Sequence, residues 1–330
     1  MGRKQMKKTA RAHTNIALIK YWGKRDETLF LPTNSSLSIT LDQFYTDTSV
    51  EFDDTLDQDT FTLNNQPVSE TERMKISKFL DKVRSFTGET RFSRIESINH
   101  VPTAAGFASS ASGFSALAAA AVKAAGIEAT LEELSILARQ GSGSASRSVY
   151  GGFVEWQMGE RKDGLDSYAK QILPEDVFDV SVLSVEVSTE QKKILSREGM
   201  KRTVETSPFY QGWLDTVGED LTNIKDAIIN QDFTQMGEIL EYNALKMHAT
   251  TLGANPPFLY WQSTTLKVME EVRAMREAGL ECYFTIDAGP NVKVITTPKT
   301  EKEIEKQLKS LDVVKEIYPC RVGPGISYID

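Results

Sequence analysis

Residues that form disulphides and metal centres are scarce in this sequence. Its 330 residues include two cysteines, Cys282 and Cys320, and three histidines, His13, His100 and His248. The cysteines stand in no CxxC or other ligand spacing, so we expect reduced thiols in a cytoplasmic protein. The histidines have no ligand spacing either, which argues against a zinc enzyme, and no Ser-His-Asp or Cys-His arrangement is indicated.

Long apolar segments and an excess of positive charge are also missing. The longest run of small apolar residues, at 116–122, is far too short to span a bilayer. The basic stretch MGRKQMKK is followed by no apolar segment, so we expect no signal peptide, and Met6 stands where a myristoylation signal has Ser or Thr. The net charge of -8 argues against a general nucleic-acid binder, although it allows a local basic pocket for an anionic small molecule.

The common nucleotide-binding signatures are absent as well. No GxxxxGK[ST] is present, and the run at 141–146 lacks the last glycine of GxGxxG, so neither a P-loop nor a Rossmann site is supported. Any site for a phosphate-bearing ligand must therefore be built from other stretches.

The length and the hydrophobic patterns predict two domains with an α+β fold. Strands and helices alternate irregularly, which disfavours a doubly wound parallel sheet. The composition shifts after 178–187, so we expect a domain boundary near 175–190. Strands are predicted at 15–24 (ending in a loop), 35–41, 46–52, 149–157, 178–187, 281–289, 292–297 and 313–318, and helices at 109–125, 131–140, 213–230, 236–251, 263–279 and 300–311.

The stretch PTAAGFASSASG, at 102–113, lies at the start of an alanine-rich helix. Gly106 permits unusual backbone geometry, and the small residues keep the stretch thin enough for its N–H groups to converge on an anion. The helix N-terminus adds positive potential, and Ser109 and Ser110 offer hydroxyl groups to a phosphate or to Mg²⁺. An N-cap serine followed by a tightly packed helix explains the same residues equally well.

Two further stretches carry cations among small or apolar residues. In ALIKYWGK, Lys20, Tyr21 and Lys24 leave the end of a strand together, and lysine suits phosphate oxygens, although a solvated edge is the simpler explanation. In GSGSASRSVYGG, at 141–152, Arg147 stands among glycines and serines that let a ligand come close to the backbone, and an arginine favours a carboxylate or a phosphate.

The last two stretches lie in the second half of the chain. EQKKILSREGM contains Lys192, Lys193 and Arg197, and such a basic run is usually a solvated face. In TIDAGPNVK, Asp287 follows an apolar strand, where a carboxylate can act as a general base or orient a hydroxyl group. A turn-forming aspartate is the favoured alternative on local grounds.

Taken together and in this order, the five stretches resemble the GHMP kinase superfamily. PTAAGFASSASG is similar to its phosphate-binding motif P-x-x-x-G-L-x-S-S-A, with Phe107 where leucine is usual. NIALIKYWGK, GSGSASRSVYGGF and FTIDAGPNVK resemble the signatures of the diphosphomevalonate decarboxylase family, over essentially the whole chain. The resemblance implies a two-domain GHMP-kinase-like fold, with an ATP-binding domain at 1–185, a domain at 186–330 that contributes the catalytic aspartate, and the active site in the cleft between them.

The resemblance also implies a reaction and its residues. ATP and mevalonate 5-diphosphate would give isopentenyl diphosphate, ADP, phosphate and CO2, in a cytoplasmic homodimer with no nucleic-acid or membrane partner. The implied catalytic residues are Asp287, Arg147 and Lys20. The implied substrate-binding residues are Tyr21, Lys24, Ser142, Gly143, Ser144, Arg147 and Arg197. The implied ATP-binding residues are Pro102, Ala105, Gly106, Ala108, Ser109, Ser110, Ser112, Lys192 and Lys193, with Ser109 or Ser110 as the ligand of Mg²⁺.

Three related functions are alternatives to this reaction. A GHMP small-molecule kinase, such as a mevalonate or phosphomevalonate kinase, would share the phosphate-binding stretch, but the stretches around Asp287 and Arg147 favour the decarboxylase. An enzyme for a monophosphate would not need the cations of Lys24 and Arg197 beside Tyr21. A non-catalytic nucleotide-binding protein of the same fold would have lost these groups.

Overall fold

Two β-sheets form the frame of the protein. In the computed structural model, which describes residues 6–101, 109–190 and 192–329, the first sheet has eight strands, the second has four, and two further strands pair as a hairpin. The strands are β1 (Lys8–Ile19), β2 (Lys24–Asp26), β3 (Leu31–Pro32), β4 (Ser36–Asp53), β5 (Thr60–Leu63), β6 (Gln66–Pro67), β7 (Phe92–His100), β8 (Phe153–Trp156), β9 (Ala169–Leu173), β10 (Ser181–Glu186), β11 (Cys282–Ile286), β12 (Val292–Thr296), β13 (Glu316–Arg321) and β14 (Ser327–Ile329).

The first sheet is built from the N-terminal half of the chain and one returning strand. Its order is β14-β1-β4-β7-β5-β6, and β8 pairs with both β4 and β9. Neighbours are antiparallel except β5 and β7. Because β14 pairs with β1, the C-terminal end of the chain is tied to the N-terminal sheet.

The second sheet is antiparallel, in the order β11-β12-β10-β13. Eight helices accompany the sheets in the described part of the chain, together with a short 3-10 helix at Gly143–Val149. The helices are α1 (Glu70–Thr87), α2 (Ser109–Ala124), α3 (Leu131–Arg139), α4 (Ser196–Thr206), α5 (Tyr210–Ile229), α6 (Phe233–Leu252), α7 (Ser263–Glu277) and α8 (Glu301–Lys309).

Each sheet buries one face against its own helices. Phe52 and Ile95 of the first sheet belong to one hydrophobic cluster with the alanines of α2, whose small side chains let the helix pack closely. Phe284 of the second sheet belongs to another cluster, which includes residues of α7 and α8. Alternation along the strands sends Val182 and Ile295 to the opposite face, where they join a third cluster with residues of β1 and β4. This third cluster joins the two halves.

The predicted α+β class and the two-part architecture are confirmed, while several elements differ from the prediction. Residues 36–53 form one strand rather than two, because β4 pairs with β1 along most of its length while β8 and β7 cover its two ends. Helices α1 and α4 and strand β7 were not predicted. Residue 185 lies in β10, and the division at 1–185 and 186–330 stays a prediction. No helix in the described ranges is long and apolar enough to cross a membrane.

Three chain segments, near residue 40, at 151–152 and at 323–325, lie in backbone contact next to the end of the 3-10 helix. Glycines at 151, 323 and 325 allow this close approach. Gly152 N donates to Gly323 O (3.0 Å), and Gly323 N donates to Thr40 O (2.8 Å). A Cβ atom on Gly151 would stand 2.5 Å from the backbone nitrogen of Gly325, a distance at which one segment must move. This crossing fixes the end of the stretch that carries Arg147.

We expect Gly151→Ala to lower the free energy of unfolding by about 2–4 kcal/mol, because the added methyl group meets rigid backbone rather than a side chain. Gly218 in α5 is the matched control, since a Cβ atom there has open space. Gly218→Ala should raise the free energy of unfolding by about 0.5–1 kcal/mol, because alanine is the better helix former. Urea unfolding of both variants tests the pair, and equal stabilities would contradict the proposed close contact.

Candidate active site

A cleft of about 290 Å³ opens where the two halves meet. Its lining includes the end of β1, the 3-10 helix, the start of α2, the segment before and into α4, and the residues that follow β11. The structure brings together in this cleft most of the described residues that the sequence singles out: Lys20, Tyr21, Lys24, Ser110, Ser142, Gly143, Ser144, Arg147, Lys192, Arg197 and Asp287.

Lys20 and Asp287 form an ion pair across the two halves of the chain. Lys20 Nζ lies 2.7 Å from Asp287 Oδ1 and also donates to Ala17 O at 2.9 Å. The backbone of Lys20 is held as well, since its N–H donates to Asn243 Oδ1 (2.9 Å) on α6. The lysine side chain is 3% exposed, whereas the aspartate side chain is 41% exposed and faces the cleft. The second carboxylate oxygen is therefore open to a ligand.

The pair shifts the protonation of both groups. Burial lowers the pKa of Lys20, and the charge of Asp287 restores only part of it. Burial is the largest influence on Asp287 and acts to raise its pKa, but the hydrogen bond and charge of Lys20, together with the charges of Lys293 and Lys192, hold that pKa below its usual range. At neutral pH, Asp287 is thus a carboxylate that accepts a hydrogen bond from an ammonium group.

Arg147 lies in the 3-10 helix and is almost completely buried, with 2% exposure. Its guanidinium donates to Ser36 Oγ (2.5 Å) and Asn15 Oδ1 (3.2 Å) and lies 5.9 Å from the ring centroid of Trp156. None of its hydrogen bonds to the described residues goes to a carboxylate. Burial lowers its pKa to about 10, so the group stays charged at neutral pH. A buried cation of this kind is a strong site for an anion.

A second set of polar groups surrounds Phe30 near the same cleft. Arg197 and Lys24 lie 5.3 Å and 4.5 Å from the ring centroid of Phe30. Lys24 is paired with Glu27 at 2.6 Å, and its side chain is only 4% exposed. The hydroxyl of Tyr21 is buried and has no hydrogen-bond partner among the described residues. These groups can hold a second anionic end of a ligand.

The serines and lysines that the resemblance assigns to ATP do not all lie in the cleft. Ser110 Oγ lies 3.3 Å from Ser142 Oγ in the cleft, whereas the hydroxyl of Ser112 is buried and bonds to Thr46 Oγ1 at 2.8 Å. Lys192 lines the cleft, and Lys193 lines a neighbouring cavity instead. Ser109 is exposed at the start of α2. Pro102, Ala105, Gly106 and Ala108 lie outside the described residues.

Two family models match consecutive parts of the chain. Residues 12–169 match the diphosphomevalonate decarboxylase-like N-terminal domain, and residues 182–322 match the mevalonate 5-diphosphate decarboxylase C-terminal domain. The chain belongs to the diphosphomevalonate decarboxylase family. The resemblance seen in the sequence is thereby confirmed.

Relatives of this family are similar over most of their length. The diphosphomevalonate decarboxylase of Ganoderma lucidum is 39% identical over 319 residues, which cover 90% of this chain and 80% of the relative. The mevalonate diphosphate decarboxylase of Staphylococcus aureus is 48% identical, with a TM-score of 0.94 over 99% of both chains. A structure described as MDDEF in complex with MVAPP, AMPPCP and magnesium is 47% identical, with a TM-score of 0.92 over 99% of this chain and 100% of that one.

Several residues that shape this family site were not found from the sequence. Asn15 and Ser36 hold Arg147, Asn243 holds the backbone of Lys20, and Lys293 lies buried beneath the cleft. His248 is fully buried, and burial lowers its pKa to about 4. Asn15 and Lys293 stand inside stretches that the sequence did single out, but the other three carry no local signal, because only the fold brings them to the site.

Proposed function

We propose that this protein catalyses the ATP-dependent decarboxylation of mevalonate 5-diphosphate to isopentenyl diphosphate, with ADP, phosphate and CO2 as the other products. The observation that carries the proposal is one cleft that holds an ionised Asp287 bonded to Lys20 and a buried Arg147 without a carboxylate partner among the described residues. The family, and the relative bound to MVAPP and AMPPCP, supply the substrate class.

The first step is phosphoryl transfer from ATP to the tertiary 3-hydroxyl of the substrate. The open oxygen of Asp287 accepts a hydrogen bond from that hydroxyl and aims it at the γ-phosphorus. Its pKa lies below the usual range, so the carboxylate is a weak base, and positioning is its larger contribution. The proton passes from the hydroxyl to the carboxylate as the new O–P bond forms and ADP leaves.

The second step removes phosphate and CO2. The C–O bond at C3 breaks, and phosphate takes the electron pair. The bond between C2 and the carboxylate carbon then supplies the electrons of the new double bond, and CO2 is released. Arg147 would hold the substrate carboxylate through two parallel hydrogen bonds and keep the breaking C–C bond in line with the departing phosphate. Ser142, Ser144 and the backbone of Gly143 would bind beside it.

The diphosphate end requires further cations, which the Phe30 side of the cleft offers. Lys24 and Arg197 would bind the two phosphates, and the unpartnered hydroxyl of Tyr21 would donate to one of them. Without such cations, binding of the second phosphate would carry a free-energy penalty on the order of several kcal/mol, as for a poorly paired buried ion.

ATP would bind along the start of α2, with Lys192 near its phosphates. The hydroxyl oxygens of Ser109 and Ser110 are exposed at this helix start and suit Mg²⁺, which prefers oxygen ligands and takes most of them from phosphates and water. When bound, Mg²⁺ would neutralise the negative charge of the phosphate oxygens. We also infer a cytoplasmic homodimer with domains at 1–185 and 186–330.

The proposed function predicts a measurable gas product. Incubation of the protein with ATP, Mg²⁺ and mevalonate 5-diphosphate should release one CO2 for each ADP formed, and ¹⁴C-labelled carboxylate makes the count direct. Mevalonate 5-phosphate is the matched control substrate, and it should react far more slowly. ADP formation with a stable phosphorylated product and no CO2 would identify a GHMP kinase instead.

A further inference from the structure

Lys293 is a buried lysine that the steps above do not use. It lies on β12, the strand between β11 and β10, and its exposure is 1%. Its ammonium donates to Ser184 Oγ on β10 at 2.8 Å. A buried lysine is costly to keep, because its charge is removed from water. Neighbouring groups in the second sheet must therefore offset the cost of burying this charge.

Strand register places Lys293 on the face of the sheet that carries the catalytic carboxylate. Lys293 pairs with Thr285 on β11 and with Ser184 on β10, so these three side chains share one face. Asp287 stands two positions after Thr285, directly after the end of β11, so it continues that face. The hydrophobic residues of the same face, Tyr283 and Ile295, belong to the cluster that joins the two halves. Lys293 thus lies beneath the floor of the cleft.

The charges around Asp287 come from five elements. Lys20, directly after β1, is the nearest, and Lys293 of β12 and Lys192 of the segment before α4 act on the carboxylate with the same sign. Arg147 of the 3-10 helix and His248 of α6 also face it. Of the three lysines, Lys20 and Lys192 line the cleft, so incoming phosphates will share their charge.

We propose that Lys293 is a positioning residue, whose buried ammonium, fixed by Ser184, holds the Asp287 carboxylate in place and favours its charged form from the protein side while the cleft-side cations engage the phosphates. This role rests on the proposed function, in which an ionised Asp287 is required. Burial lowers the pKa of Lys293 to about 8, and the charge of Asp287 acts in the opposite direction, so Lys293 is still mainly protonated at pH 7. Cys320 and Glu186 also act to raise this pKa, and the charge of Lys20 acts to lower it.

The decisive measurement is the titration of the Asp287 carboxyl group itself. Protein labelled with ¹³C at the aspartate carboxyl carbons is titrated by NMR, and the Asp287 signal is assigned by its loss in Asp287→Asn. This readout distinguishes the titration of Asp287 from that of His248, whose pKa burial lowers to about 4. In Lys293→Met, the pKa of Asp287 should rise by about one pH unit, as expected for the loss of one nearby buried charge. Methionine keeps the length of the side chain and adds no buried charge.

Two further variants complete the test. Lys299 lies exposed in the turn after β12, so Lys299→Met should leave the pKa of Asp287 unchanged. Ser184→Ala removes the hydrogen bond but keeps the ammonium, so its effect should be smaller than that of Lys293→Met. If Lys293→Met does not fold, Lys293→Gln takes its place and must raise the pKa in the same direction.

The outcomes separate this inference from the proposed function. In the CO2 assay, the acid limb of the kcat/KM profile should move to higher pH by the same one unit or so in Lys293→Met, with little change at pH 7. An unchanged Asp287 pKa in that variant overturns the role of Lys293, even if the wild type releases CO2. Absence of CO2 release from the wild type would overturn the proposed function, while the NMR titration would still report on the charge of Lys293.

Discussion

Replacement of Asp287 by Asn is expected to lower kcat for CO2 release by about 10³-fold or more, with the affinity for ATP nearly unchanged. Asparagine keeps the shape of the side chain, but it cannot receive the proton of the 3-hydroxyl. It also leaves the ammonium of Lys20, only 3% exposed, without the carboxylate that it contacts at 2.7 Å. ATP binding should persist, because the start of α2 is a separate part of the site.

The measurement compares ¹⁴CO2 release with ATP binding by calorimetry on the same preparation. Asp312→Asn is the matched control, because Asp312 also faces a lysine, at 3.3 Å, but its side chain is 82% exposed and does not line the cleft. That variant should behave as the wild type. Normal turnover in Asp287→Asn would remove this carboxylate from the mechanism, and joint loss of ATP binding and of thermal stability would point to a structural role.

The parts of the fold that the sequence predicted are those with a strong local pattern. The alanine-rich stretch became α2 within one residue of its predicted end, and the predicted strand at 178–187 contains β10. In both, the apolar residues of the pattern are buried by the fold. Local periodicity and tertiary packing therefore agree there.

Strand β7 was not predicted because its buried face includes polar residues. Strand β7 points Ser93, Ile95 and Ser97 inward, so its alternation is partly serine rather than apolar. Those serines are satisfied by Asp59 and Thr48, which lie far away in sequence. The start of α1 does carry a local signal, since Ser69 and Glu72 form a capping box. That spacing could have revealed the helix.

The stretches that form the site could be predicted from the sequence, but the arrangement of their side chains could not. Only the fold, which places the side chains of Lys20 and Asp287 in contact across 267 positions, shows that Lys20 is not a solvated edge and that Asp287 has a buried cation as its partner. The same limit applies to Ser112, which belongs to the phosphate-binding motif although its hydroxyl is used by Thr46. Lys293 was overlooked because a lysine in a strand pattern gives no sign of its burial.

Replacement of Arg147 by Lys is expected to lower kcat/KM for mevalonate 5-diphosphate by about 10²–10³-fold. Lysine keeps the charge, but one ammonium cannot form two parallel hydrogen bonds to a carboxylate. It also cannot maintain the bonds to both Ser36 and Asn15 that now fix the guanidinium in the 3-10 helix. Arg161→Lys is the control, because its side chain is 58% exposed and pairs only with Asp163 among the described residues. That variant should retain wild-type activity.

The ratio of CO2 to ADP distinguishes an orienting role of Arg147 from a packing role. If Arg147 aligns the substrate carboxylate for the second step, the lysine variant should phosphorylate the 3-hydroxyl more readily than it decarboxylates, so the ratio should fall below that of the wild type. A purely structural defect would lower both products together and would also lower the unfolding temperature. Near-normal activity with an unchanged ratio would contradict the assignment, because the buried charge of Arg147 would then have no part in holding the substrate.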